Sequence, residues 1–229
     1  MNDTLLINQV LIPNALSVAH RLLGNSAIFQ NIKIVSDKVN KKIISNLKAQ
    51  EYFGASLKKL AFVHYNRNII LSTRLTFNSV GVVENYFNSM VLMSRGCFDS
   101  LACTVNLVYG DKLKEVNVRP LDPEFLKTVH NEEIQAIFKR DISVWNEIDE
   151  YRNLIIHRSA VIILPSGKGV TSGNNPSIEY FAVVKKPSEF ISSIPAKAAD
   201  KYLCKLNEKV SEIVQLTEKT FLDISNLFD

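Results

Sequence analysis

The sequence predicts a mainly α-helical bundle with long antiparallel helices and one β-hairpin inserted before its last helix. Three observations point to this fold class. Prolines and glycines number only seven and eight in 229 residues, which leaves long stretches free to be helical. Apolar residues recur at steps of three and four through most of the chain. Near residue 160 that period gives way to two β-favouring stretches joined by glycine, serine and asparagine.

The amino-terminal third is predicted to be helical, with one segment left open. A short helix, ALSVAHRLL, follows Pro13 and is expected to end at Gly24. From Ser26 an amphipathic helix is expected to continue until Gly54 interrupts it. The next stretch, LKKLAFVHYNRNIILSTRL, is either helical or extended, and its pattern does not decide between the two.

Two long helices carry the clearest periodicity. The first is expected to begin at Asn78 or Ser79 and to end at Gly110. A proline-containing connection follows, and Asn131 then caps a second long helix that runs to Arg158. Each helix shows one apolar face, so we expect the two to pack together.

The carboxyl-terminal part is predicted to hold the hairpin and a closing helix. The hairpin spans about residues 160–184, and the last helix runs from about Lys197 to Phe228. We therefore divide the chain into an amino-terminal helical extension, residues 1–77, and a helical bundle, residues 78–229.

Composition favours a globular cytoplasmic protein. The longest apolar run, Ala160 to Leu164, is far too short to cross a membrane, and MNDTLLINQV does not resemble a signal peptide. The three cysteines show no metal-ligand spacing and fit a reducing compartment, so we expect no metal and no cofactor.

The positive charge is concentrated in the first half of the chain. Residues 1–110 contain 11 Lys+Arg and 5 Asp+Glu, whereas the remainder contains 16 and 18. The amino-terminal half is therefore where a polyanion would dock, although a solvated lysine-rich surface explains the same counts.

The stretch EYRNLIIHRSA, residues 150–160, gathers chemically capable side chains at the end of a helix. Asn153 and His157 are four residues apart and share a helical face, and the long Arg152 side chain can reach the space beside the imidazole. An arginine can bind a phosphate through two hydrogen bonds, and a histidine can move a proton near neutral pH. This set of residues suits metal-free cleavage of a phosphodiester.

Two structural explanations compete with that hypothesis. Cations in a last helical turn, here Arg152, His157 and Arg158, complement the helix dipole and bind free carbonyl groups. Arg95 and Asp99, four apart on the first long helix, can form an ion pair inside the bundle with no role in chemistry.

Arg152 and His157, in RNLIIH near the end of a long helix, resemble the motif of the HEPN superfamily of small helical bundles. The segment SRGCFDSLACTVNLVYG, residues 94–110, is similar to the first long helix of those domains, and the helix order agrees over about residues 78–229. The family includes many RNA-cutting toxins and immunity effectors.

The resemblance implies a dimeric, metal-independent endoribonuclease that leaves a 2′,3′-cyclic phosphate, as a toxin or antiviral defence effector. Arg152 would bind the scissile phosphate, His157 would transfer protons, and Asn153 would support them. Asp99 and Arg95 would orient the site. RNA, a second copy of the chain, and an antitoxin or activating protein are the implied partners. The alternative is a non-catalytic HEPN-like module that binds a nucleotide, RNA or a protein.

Two features depart from the pattern of the family, and a third disfavours RNA. Ser159 stands where family members regulated by adenylylation have a tyrosine, and the hairpin is an addition to a plain bundle. The motif helix is also acidic, so RNA would need lysines of the amino-terminal helices to offset that field. Those lysines are Lys33, Lys38, Lys41, Lys42, Lys48, Lys58 and Lys59.

Overall fold

The computed structural model describes residues 11–74, 79–157, 163–172, 175–185 and 203–228. It confirms a mainly helical chain. Its helices are α1 (Leu11–Leu23), α2 (Ala27–Ile43), α3 (Leu47–Ser72), α4 (Val80–Tyr109), α5 (Pro123–Lys127), α6 (Glu132–Arg140), α7 (Ile142–His157) and α8 (Leu206–Asn226), with a 3-10 turn at Glu115–Asn117.

Helices α3 and α4 form the longest packed pair and run antiparallel. The Tyr65 and Tyr86 rings meet near one end of the pair, and Lys59 reaches Gly96 further along. Helix α1 packs on α3, and α7 and α8 both pack on α4. The buried core is continuous from α1 to the end of α8, so residues on both sides of the proposed domain boundary at 77 contribute to it. That boundary itself stays a prediction.

Within the described residues, three strands precede α8. Strand β1 (Ile163–Ser172) pairs antiparallel with β2 (Asn175–Lys185), and β3 (Leu203–Lys205) pairs with the end of β2. Ile163 and Val184 are buried against the helices. The residues that join β1 to β2 lie outside the described part, so the hairpin stays a prediction.

The expected break at Gly54 is wrong, because Gly54 lies inside α3. Its position is buried, and a Cβ placed there would lie 3.6 Å from both Ala15 Cβ and the Leu11 carbonyl oxygen of α1. The glycine therefore serves close helix packing. The break falls before α3, where the Asn46 side chain accepts a hydrogen bond from Ala49 N and caps the helix.

Two other expected boundaries are corrected. The motif helix is split at Asp141 into α6 and α7, although Asn131 caps α6 as expected by accepting a hydrogen bond from Ile134 N. The closing helix begins at Leu206, because residues 203–205 form β3, and residues 197–202 lie outside the described part. Helix α4 confirms its expected limits.

Candidate functional site

Aromatic packing fixes which face of α7 points outward. Trp145 stacks on Phe98 of α4 with ring centroids 3.9 Å apart, and Tyr151 meets Phe87 edge-on at 5.8 Å. These rings are buried, so the residues on the opposite face of α7 reach the surface. The stretch that resembles the HEPN motif lies in the last turns of this helix.

Arg152 lies at the edge of the α4–α7 contact, beside Asp149, and Asn153 lies on the exposed side of the helix. The Arg152 side chain is 39% exposed, and Asn153 is exposed. The backbone of His157 ends α7. The side chain of His157, and all of Arg158 and Ser159, lie outside the described part, so the predictions for them stay predictions.

Arg95 connects α4 to α7 through a partly buried ion pair. Its Nε donates a hydrogen bond to Asp149 Oδ1 at 3.0 Å, and its Nη1 lies 3.3 Å from Asp99 Oδ1. The guanidinium also lies over the Phe98 ring, 5.7 Å from the centroid, and only 11% of the side chain is exposed. Arg95 therefore holds Asp149 in place and is not positioned to bind a ligand directly.

Asp149 also faces Arg152, but this second contact is looser. Arg152 Nη1 lies 3.6 Å from Asp149 Oδ1 and 3.5 Å from Asn153 Oδ1. Both distances are at or beyond the limit of hydrogen bonding, so an anion can bind the guanidinium without breaking a short bond. Among the described residues, its polar contacts are with these two side chains and not with a helix-terminal carbonyl.

Lys59 brings a third cation to the cluster from α3. Its Nζ donates to the Gly96 carbonyl at 3.0 Å and to Ser100 Oγ at 2.8 Å. A Cβ at residue 96 would lie 3.2 Å from the end of the lysine side chain, so the glycine makes room for it. Three cations and two carboxylates thus lie around the α4–α7 contact, with the cations in excess.

Asp99 has an altered acidity in this cluster. Burial raises the pKa of its carboxyl above the ordinary value, and the positive charges of Arg95 and Arg152 only partly oppose that effect. The ionised form of Asp99 is therefore less stable in the folded protein than in water.

Four of the five residues proposed from sequence contribute to one cluster, namely Arg95, Asp99, Arg152 and Asn153. Asp149, which joins Arg95 to Arg152, belongs to the motif helix, which the sequence characterises only as acidic. Its position three residues before Arg152 on the same helical face was the available signal. The contact with Arg95 also agrees with the ion-pair explanation for that arginine.

Comparisons with protein-family models, with curated proteins and with solved structures found no match to this chain. Within the described ranges, no helix combines the length and the apolar character that a membrane span requires.

Proposed function

We propose that this protein is a HEPN-type endoribonuclease that cuts RNA without a metal ion. The observation that carries the proposal is the half-exposed Arg152 guanidinium, held loosely by Asp149 one turn before the helix end at His157. An open arginine near a histidine position, on a helix fixed by buried aromatic contacts, suits recognition of a phosphodiester.

The proposed reaction is an internal transfer at phosphorus. His157 takes the proton of the ribose 2′-hydroxyl, the 2′-oxygen attacks the adjacent phosphorus, and the bond to the 5′-oxygen breaks. A second His157, from the other subunit of a homodimer, gives a proton to that leaving oxygen. The products are a 2′,3′-cyclic phosphate and a free 5′-hydroxyl.

Arg152 would stabilise the extra negative charge on the phosphate oxygens in the transition state. Asn153 would orient the substrate or the arginine, since its Oδ1 lies 3.5 Å from Arg152 Nη1. Arg95 would act indirectly, by fixing Asp149, and Asp149 would compete with the phosphate for the Arg152 guanidinium. A toxin or antiviral defence effector in the cytoplasm, controlled by an antitoxin or activating protein, is the biological role that we infer from the resemblance.

The test is cleavage of single-stranded RNA by the purified protein in EDTA. We expect Arg152→Ala and His157→Ala each to reduce the cleavage rate by about 10²–10³-fold, because each removes a group that acts in the transition state. Lys139→Ala is the matched control. Lys139 is an exposed cation on α6 that contacts Gln135, so its loss is expected to leave the rate unchanged.

Two results would count against the proposal. Cleavage that survives both the Arg152 and the His157 substitution would assign it to another site or to a contaminant. Intact RNA with measurable RNA or nucleotide binding would favour the non-catalytic module instead.

A further inference from the structure

The positive charge of the chain is concentrated on α1 and α2. Residues 11–46 contain five Lys+Arg and one Asp+Glu, a net charge of +4. The whole chain contains 27 and 23, so every other residue together contributes 22 and 22 and is neutral. All five of these cations are exposed: Arg21, Lys33, Lys38, Lys41 and Lys42.

Core packing explains why the cations of α2 share one surface. The helix buries Phe29, Ile32, Val35, Val39 and Ile43, and this leaves its lysines on the opposite side. We call the exposed side of α1 and α2, with its five cations, the α1–α2 basic surface. Asp37 is the acidic residue on it.

Helix dipoles account for only part of this surface. Arg21, Lys41 and Lys42 lie in the last turns of their helices, where a cation is favourable. Lys33 and Lys38 lie further from the helix end and gain little from the dipole. Within the described ranges, neither of them forms an ion pair or a hydrogen bond. Their charges are therefore available to an external anion.

We propose that the α1–α2 basic surface binds the phosphate backbone of single-stranded RNA, separately from Arg152. The choice of RNA rests on the proposed function. The surface is also less suited to a membrane, because most apolar residues of α2 face the core, and the large apolar side chains exposed there are Ile34 and, just after the helix, Ile44. Contacts between lysines and phosphates increase the affinity for RNA without selecting its base sequence.

The α1–α2 basic surface would offset the negative charge of the motif helix. Helix α7 carries Asp149, which lies 3.6 Å from the Arg152 guanidinium, and the exposed Glu150, and their negative charges disfavour RNA at that place. A basic surface on other helices supplies the attraction that holds the chain of phosphates while Arg152 engages one of them. Helix α3 contacts both α1 and α4 and so lies between the two regions.

The test uses a fluorescently labelled single-stranded RNA and the full-length His157→Ala protein, so that binding is measured without cutting. Lys33→Gln together with Lys38→Gln is expected to weaken binding roughly tenfold near 0.1 M salt, and to reduce the log–log salt slope by about 1.4. Fluorescence anisotropy across a salt series measures both quantities. Glutamine keeps the helix propensity of lysine, so folding should be unaffected.

The control variant is Lys114→Gln together with Lys219→Gln, which removes two exposed lysines outside the basic surface. It should leave affinity within about twofold of the parent, since these lysines would neutralise no phosphates. Equal weakening by the two double variants would overturn the inference, since net charge alone would then explain binding. Absence of RNA binding, with lysine-dependent binding to phosphatidylserine vesicles, would overturn it in favour of a membrane partner.

The test of the basic surface and the test of the nuclease activity can give different results. If RNA binding depends on Lys33 and Lys38 but the unmutated protein cuts no RNA, the surface is supported and the nuclease is not. If the unmutated protein cuts RNA but the lysine variant binds like its parent, the nuclease stands and the basic surface is rejected.

Discussion

The two sides of helix α7 both carry ion pairs, but the charges are matched differently. On the side of α8, Lys209 lies between Glu147 and Glu212, and 9% of the lysine side chain is exposed. On the side of α4, Arg95 is similarly buried and binds Asp149. Asp149 there has a second cationic neighbour, Arg152, which is 39% exposed.

The difference separates a structural network from a candidate binding site. Burial alone would lower the pKa of Lys209, but hydrogen bonds to Glu212 and Glu147 raise it overall, so the ammonium is well satisfied. The α4 side leaves one guanidinium loosely held at the surface. An exposed guanidinium beside a carboxylate that Arg95 holds in place is suited to bind an anion.

The largest stability effect is expected from His64, which faces α8 from α3. Burial, reinforced by Arg67, lowers the pKa of His64 to about 4, so Glu218 at 3.4 Å does not form a strong ion pair at neutral pH. His64 of the unfolded chain binds a proton near pH 6.5, whereas His64 of the folded protein does so only near pH 4. The free energy of unfolding should therefore fall as pH decreases from 6.5 towards 4. The loss attributable to His64 is at most about 3 kcal/mol.

Urea unfolding at several pH values measures this effect. His64→Met should flatten the pH dependence in that window, whereas His20→Gln, at an exposed histidine, should preserve it. Burial raises the pKa of Glu218, which favours the folded state as pH falls and opposes part of the loss. An unchanged slope in His64→Met would show that His64 is not held neutral by burial.

A smaller effect is expected from Lys209→Met. The substitution leaves Glu147 and Glu212 close together without their shared cation, and we expect a loss of about 1–3 kcal/mol because both carboxylates keep some contact with water. Thermal unfolding measures it. Lys205→Met removes an exposed lysine, which lies 3.5 Å from Glu208, and should cost less than about 1 kcal/mol.

Lys209→Met also tests whether the α8 side and the α4 side of α7 act independently. RNA cleavage per folded Lys209→Met molecule should equal that of the unmutated protein, because the α8 network does not contact Arg152. A lower rate at full folding would mean that both sides of α7 contribute to the site.

The smallest effect is expected from Asp149→Asn. Asparagine can still accept the hydrogen bond from Arg95, but it no longer offers Arg152 a negative charge at 3.6 Å. RNA should then bind up to about fivefold more tightly, since an exposed ion pair contributes at most about 1 kcal/mol. Competition binding with labelled RNA measures this. The control is Asp111→Asn, which removes an exposed carboxylate elsewhere. Weaker RNA binding by Asp149→Asn would show that Asp149 orients Arg152 instead of competing with RNA for it.

The sequence predicted the helical fold well where periodicity and capping agreed. Helix α4 has an uninterrupted apolar face and lies between Ser79 and Gly110, so its limits could be placed. Gly54 was misleading, because a glycine in close helix packing looks the same in sequence as a helix break. At the true break before α3, Gln50 Nε2 donates to the carbonyls of Ile43 and Ile44, a contact that becomes visible only in three dimensions.

The candidate site was predictable in its residue types but not in its connections. Arg152 and Asn153 could be selected from one helical segment, and Arg95 and Asp99 from another. The bond between Arg95 and Asp149 joins residues 54 apart in sequence, and periodicity carries no information on such a pair. Asp149 could therefore be listed as an acidic residue but not recognised as the link between the two segments.

The role of Arg152 is tested most directly by the chemical nature of the RNA ends formed in EDTA. We expect 5′ fragments that end in a 2′,3′-cyclic phosphate with the unmutated protein and with Lys139→Ala, and a loss of these fragments with Arg152→Ala. Cyclic-phosphate fragments formed at an undiminished rate by folded Arg152→Ala would contradict the claim that this open guanidinium binds the phosphate that is cut.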